Sequence, residues 1–140
     1  MGRARPKGWC FTQYDARGNL PDTDSGAVSQ SIQDMLGWME VEAQRLKIEP
    51  PLVLSACRSR AMQNEMIRRW DRGERAGLLV RPSPNSKHIP DRSGRCRAVD
   101  LANSEAWLRL MGPRAEKKFP YIEWGGNYLS DDFRHFEERG

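Results

Sequence analysis

Residues 97–138, RAVDLANSEAWLRLMGPRAEKKFPYIEWGGNYLSDDFRHFEE, decide the fold class. The opening RAVDLA, 97–102, reads as a short strand with Val99 inward and Asp100 near its end. Asn103 or Ser104 then caps a helix over 104–112, which carries Trp107, Leu108 and Met111. Residues 121–124 are strand-like, Gly125 and Gly126 turn the chain, and 135–138 form a last short strand. A strand, a helix and two strands joined by a turn do not make regular βαβ units. The pattern predicts an α+β fold, a small, mainly antiparallel sheet with helices packed on it.

Working outward, Val28, Ile32, Met35, Leu36, Met39, Ala43 and Leu46 recur at three- and four-residue steps. They predict a helix over 24–48, capped by Asp24 or Ser25 and stopped by Pro50 and Pro51. LVLSA, 52–56, reads as a buried strand. Ser59 opens a second helix to about residue 75, with Met62, Met66, Ile67 and Trp70 inward and many arginines outward. Residues 78–97, with Pro82, Pro84 and Pro90, form a long loop of the kind that compact domains use for function. Residues 1–23 are irregular, and Trp9, Phe11 and Tyr14 are expected to pack that segment onto the body. The chain, 1–140, is thus expected to be one domain with its motif-bearing core at 52–138.

The 140 residues include 23 Lys+Arg against 19 Asp+Glu, a formal charge of +4. No apolar run approaches the roughly 18–20 residues that cross a bilayer, which argues against membrane insertion. The basic start has no apolar stretch behind it, so the chain is expected to be made in the cytoplasm without a signal peptide. Cys10, Cys57 and Cys96, an odd number at wide spacing, suggest no disulfide framework and no thiolate metal site, and reduced thiols are expected.

The two histidines, His88 and His135, stand with Asp100 as the residues of most chemical interest. Zinc takes imidazole nitrogen and carboxylate oxygen, and three protein ligands leave a fourth position open for catalysis. From residue types alone, a shared metal and two unrelated surface histidines both remain open. The surrounding strings add to this. SKH (86–88), AVDL (98–101), EWGG (123–126) and DFRHFE (132–137) occur in that order, with Arg58 upstream and Gln63 five residues after it.

Together these strings resemble the zinc peptidoglycan peptidases of the D-Ala-D-Ala carboxypeptidase and L-alanyl-D-glutamate endopeptidase family, which includes many bacteriophage endolysins. That pattern runs S-x-H, A-x-D, W-G-G, then D/E-x-x-H-F-E, and the resemblance spans about residues 52–138. It implies one zinc per chain held by His88, Asp100 and His135 at the sheet edge, with Asp132 as catalytic base and Arg58 stabilising the oxyanion. It further implies that Ser86, Gln63 and Trp124 bind substrate or brace the site. Relatives carry H-x-x-G-x-A-x-D; here His88 and Asp100 are twelve residues apart, five more than in that pattern, and Cys96 stands where its glycine would align.

Other readings stand beside these. Trp124 can be core with Gly125 and Gly126 a simple turn, Asp131 a solvated acid, and Glu137 either a partner of the site or a surface charge. Arg60 is a rival to Arg58. The arginine-rich stretch from Arg58 to Arg81 reads as a solvated helix face or as a polyanion-binding patch. The resemblance implies a peptidase acting on the peptidoglycan stem peptide, with L-alanyl-D-glutamate endopeptidase first and D,D-carboxypeptidase second. It implies a monomer without nucleic acid that reaches the wall through a holin-made opening. A non-catalytic basic or virion module is the alternative from another class.

Overall fold

The computed structural model describes residues 27–75 and 80–140. The expectations for 1–23, for capping by Asp24 or Ser25 and for Cys10 lie outside the described residues. Strand β1 (Ala27–Val28) leads into helix α1 (Gln30–Leu46), followed by β2 (Val53–Ser55) and α2 (Arg60–Asp71). Then come β3 (Arg95–Cys96), β4 (Ala98–Leu101), α3 (Glu105–Lys118), β5 (Ile122–Trp124) and β6 (His135–Glu138). Four strands form an antiparallel sheet in the order β2-β4-β6-β5, and β1 pairs with β3 in parallel. The α+β expectation holds, in one small domain.

Each helix starts at a serine whose hydroxyl accepts from a backbone N–H three residues on: Ser29 from Ile32, Ser59 from Met62 and Ser104 from Trp107. Helix α1 therefore begins later than its apolar periodicity suggested, because residues 27 and 28 are extended and paired with β3. Val28 still joins the same core. Helix α1 buries Ile32, Met35, Leu36 and Met39, and α3 buries Leu108 and Met111 against the sheet. Each such side chain contributes about 1.5–3 kcal/mol. In α2 only Met66 of the four expected apolar residues is buried; Met62, Ile67 and Trp70 are half-buried, and Gln63 is buried beside it.

Helix α3 runs six residues past the expected stop at 112, straight through Pro113. An interior proline costs about 3 kcal/mol. Burial on both sides of it, by Trp107, Leu108 and Met111 before and Ala115 after, keeps the helix continuous. Gly112 has a packing role. A Cβ there would lie 2.4 Å from the Trp124 indole, and one at Gly126 would lie 2.2 Å from its other edge. The indole is thus closed in by two positions that accept only glycine.

Two expectations are corrected. Cys57 and Cys96 are not free thiols but form a disulfide, with Cα atoms 5.4 Å apart. Wide sequence spacing gave no hint of this, since pairing depends on where the fold brings the two Cβ atoms. Nor does the candidate metal site lie at the sheet edge. Asp100 and His135 are cross-strand partners on β4 and β6, the two inner strands.

Candidate metal centre

Register alone brings two of the three proposed ligands together, since Asp100 on β4 faces His135 on β6. The third arrives on the loop before β3, which is stapled at two points. The Arg58 N–H donates to the His88 carbonyl at 2.9 Å, and the Arg97 N–H donates to the Lys87 carbonyl at 2.8 Å. Ser86 adds a local turn, its hydroxyl accepting from the His88 N–H at 3.1 Å. The longer spacer to Asp100 is absorbed in a closed turn. Asp91 N–H donates to the Arg95 carbonyl and Gly94 N–H to the Asp91 carbonyl, both at 2.9 Å. The Asp91 carboxylate accepts from Ser93 and Arg97.

One ligating atom from each of His88, Asp100 and His135 lies within 4.8 Å of the others, a group that could hold a metal ion. The proton inventory makes that fit specific. His88 is buried, and its Nδ1 lies 2.6 Å from the Ala56 carbonyl, which only accepts, so Nδ1 carries the hydrogen. Its Nε2 then presents a lone pair, buried and without a hydrogen-bond partner, 3.2 Å from Asp100 Oδ2. Two acceptors face each other there, and a cation between them satisfies both. Burial also lowers the His88 pKa, so a proton is a poor substitute.

His135 is the complement. Its Nδ1 lies 2.9 Å from Asp100 Oδ1 and its Nε2 2.8 Å from Glu137 Oε1. Burial opposes a charge on this ring, but the hydrogen bonds to Asp100 and Glu137 prevail and raise its pKa to about 10. Burial likewise works against the Asp100 carboxylate, yet the two histidines hold its pKa well below the ordinary range. In the metal-free chain a proton on His135 Nδ1 occupies the direction that an ion would take.

The group opens into a cavity of about 400 Å³ lined by Arg58, Gln63, Ser86, Asp132, Tyr128 and Glu137 among others. Asp132 is partly buried, and burial together with the charge of Asp100 pushes its pKa up to about 6. Arg58 is buried directly before the α2 cap, one guanidinium nitrogen 3.7 Å from Asp100 Oδ2 and another 2.9 Å from the Met66 sulfur. Its rival Arg60 is exposed and donates to the Pro84 carbonyl. Gln63 donates from Nε2 to the Ser83 carbonyl at 2.7 Å, bracing the loop, while its Oε1 is buried without a partner.

Trp124 is not among the cavity's lining residues. It is core, and its Nε1–H donates to the Phe133 carbonyl at 2.7 Å. Next to it, a Cβ on Gly125 would meet the Asp132 carbonyl oxygen at 2.2 Å. The Trp-Gly-Gly string therefore acts as a brace that sets the backbone of 132–133. Asp131 pairs with Arg109 on the surface, at 2.6 Å. Glu137, left between two roles by its sequence, is a partner of the site through His135. Period-two spacing puts both on one face of β6, a signal the sequence did contain. Tyr128 had no such signal; its ring centroid lies 6.3 Å from that of His135.

Several arginines of α2 and after have an acidic partner, though six arginines from Arg60 to Arg81 stand against three acids. Arg68, Arg69 and Arg72 pair with Glu65, and Arg81 with Asp71.

No protein-family model matches this chain, and no curated protein matches it. Among solved structures it is similar to the L-Ala D-Glu endopeptidase ChiX of Serratia marcescens, with a TM-score of 0.53 and 22% identity over 79% of this chain and 80% of that one. The likeness is one of fold.

Proposed function

We propose that this chain is a zinc-dependent peptidase that cleaves an amide bond in the peptidoglycan stem peptide, as an L-alanyl-D-glutamate endopeptidase of endolysin type. The observation that carries the reading is the buried lone pair of His88 Nε2 aimed at the carboxylate that His135 also faces. The fold shared with ChiX, an L-Ala D-Glu endopeptidase, and the motif strings support the choice of substrate.

His88 through Nε2, Asp100 through its carboxylate and His135 through Nδ1 would hold the ion. The chemistry zinc supplies when bound is Lewis acidity toward the scissile carbonyl and an easier deprotonation of water. Asp132 takes the water's proton and returns it to the leaving amine. With a pKa near 6 it is ionised at neutral pH, yet basic enough to accept. Arg58 offers fixed donors to the oxygen on which charge develops. Gln63 and Ser86 line the cavity in which the peptide would lie.

We further propose that the protein acts as a monomer at the cell wall, after release from the cytoplasm in which it is made. Among the described residues no helix is long and apolar enough to cross a membrane. The test is digestion of purified peptidoglycan with untagged protein, with mass spectrometry of the products and metal analysis. The reading expects about one zinc per chain and new N-terminal D-Glu. Release of D-Ala alone would redirect it to a D,D-carboxypeptidase. Metal-free, inactive protein would overturn it in favour of a binding module.

A further inference from the structure

Lys87 precedes a proposed ligand in the chain but touches the neighbour of another. Its Nζ donates to Glu137 Oε2 at 2.9 Å and to the Glu138 carbonyl at 2.5 Å, both on β6. The other oxygen of the same Glu137 carboxylate faces His135 Nε2 at 2.8 Å. The Lys87 carbonyl is held by the Arg97 N–H, one residue before β4, the strand of Asp100. The three segments that carry His88, Asp100 and His135 therefore meet at one lysine, which is half-buried.

We propose that Lys87 is a positioning residue for the metal centre, acting through Glu137; this rests on the zinc reading above. Glu137 can present an acceptor to both His135 Nε2 and Lys87 only if its carboxylate is held between them. In that arrangement Nε2 keeps its hydrogen on Glu137 when an ion displaces the proton on Nδ1. The Nδ1 lone pair is then left facing Asp100, where an ion must bind. Without the ammonium, Glu137 loses its cationic partner and keeps, besides the imidazole, only the Tyr128 hydroxyl, so its carboxylate can turn from the imidazole or toward the ion. Partners of this kind fix ligand tautomer and orientation, and their loss typically costs 10–100-fold in metal affinity. The ammonium also ties the His88 loop to β6, so both histidines are set by one side chain.

The experiment is chelator competition for zinc on untagged protein, comparing wild type with Lys87→Met, Lys87→Arg, Glu137→Ala and the Lys87→Met/Glu137→Ala pair. Lys87→Met is expected to weaken zinc binding about 10-fold and Lys87→Arg to restore most of it. In the Glu137→Ala background Lys87→Met should add little, because its route to His135 is already gone. Metal-free melting temperatures, read in parallel, separate this from a folding defect. Wild-type affinity in Lys87→Met, or the same factor lost with and without Glu137, overturns the proposal. A wild-type chain that takes up no zinc overturns the zinc reading and this inference with it.

Discussion

Replacing Cys57 and Cys96 together by alanine perturbs the site through the chain rather than through its chemistry. The disulfide spans 39 residues, and that closed loop carries α2, Gln63, Ser86 and His88. Loop-closure entropy for that length gives about 4 kcal/mol in favour of the cross-linked fold, a large share of the roughly 5–15 kcal/mol that small domains possess. At about 4 °C per kcal/mol for a domain of this size, the melting temperature should fall on the order of 15 °C. Cys57 also lies between Ala56, whose carbonyl orients the His88 ring, and Arg58, whose N–H holds the His88 carbonyl. The loss should therefore extend to zinc affinity. The assay is urea and thermal unfolding of metal-free protein, followed by tryptophan fluorescence. Thiol titration of the unreduced, denatured wild type should count one free cysteine of three. A double variant within about 1 kcal/mol of wild type, or three free thiols, would refute the reasoning.

Further outcomes are expected. Asp132→Asn should cut hydrolysis by about 10²–10⁴-fold while zinc content stays unchanged, as read by product analysis beside metal analysis. As the proposed base, Asp132 would work only when ionised, so the rate should rise with pH along an acid limb at or below about 6, since a bound dication moves that limb down. Gly125→Ala forces a methyl into the Asp132 carbonyl; a loss of about 1–3 kcal/mol in urea unfolding is expected, with activity falling further than stability. His135 titrates near 10 in the metal-free fold against an ordinary 6.5. Its contribution to stability is therefore complete below pH 6.5 and lost as pH rises toward 10, a decline that zinc should suppress by replacing the proton.

Much of this was legible in the sequence because β4 is short, apolar and followed by a serine-capped helix, while the Gly125–Gly126 turn separates β5 from β6. Asp100 and His135 could be placed on strands from their neighbours alone. Their register could not, since one residue of slip would turn either side chain to the other face. The partner of His88 Nδ1 is the Ala56 carbonyl, a backbone group that no side-chain pattern reports. Pro113 hid the second half of α3, where burial outweighs a local signal. The cysteine pair was illegible for a related reason, being a statement about distance in the fold.

The turn closed by Asp91 and Arg95 has a consequence for how this protein can change. Both ends of the His88-to-Asp100 connection are pinned, at Lys87 and His88 on one side and by the Cys57–Cys96 bond on the other. Asp91, Arg92, Ser93 and Gly94 between them are exposed. Chain length at this tip is decoupled from ligand geometry, so residues can be gained or lost there without moving a ligand atom. That makes 92–93 the natural graft point for a label, an affinity handle or a wall-targeting peptide, and a place where lineages can diverge in length while the chemistry stays fixed.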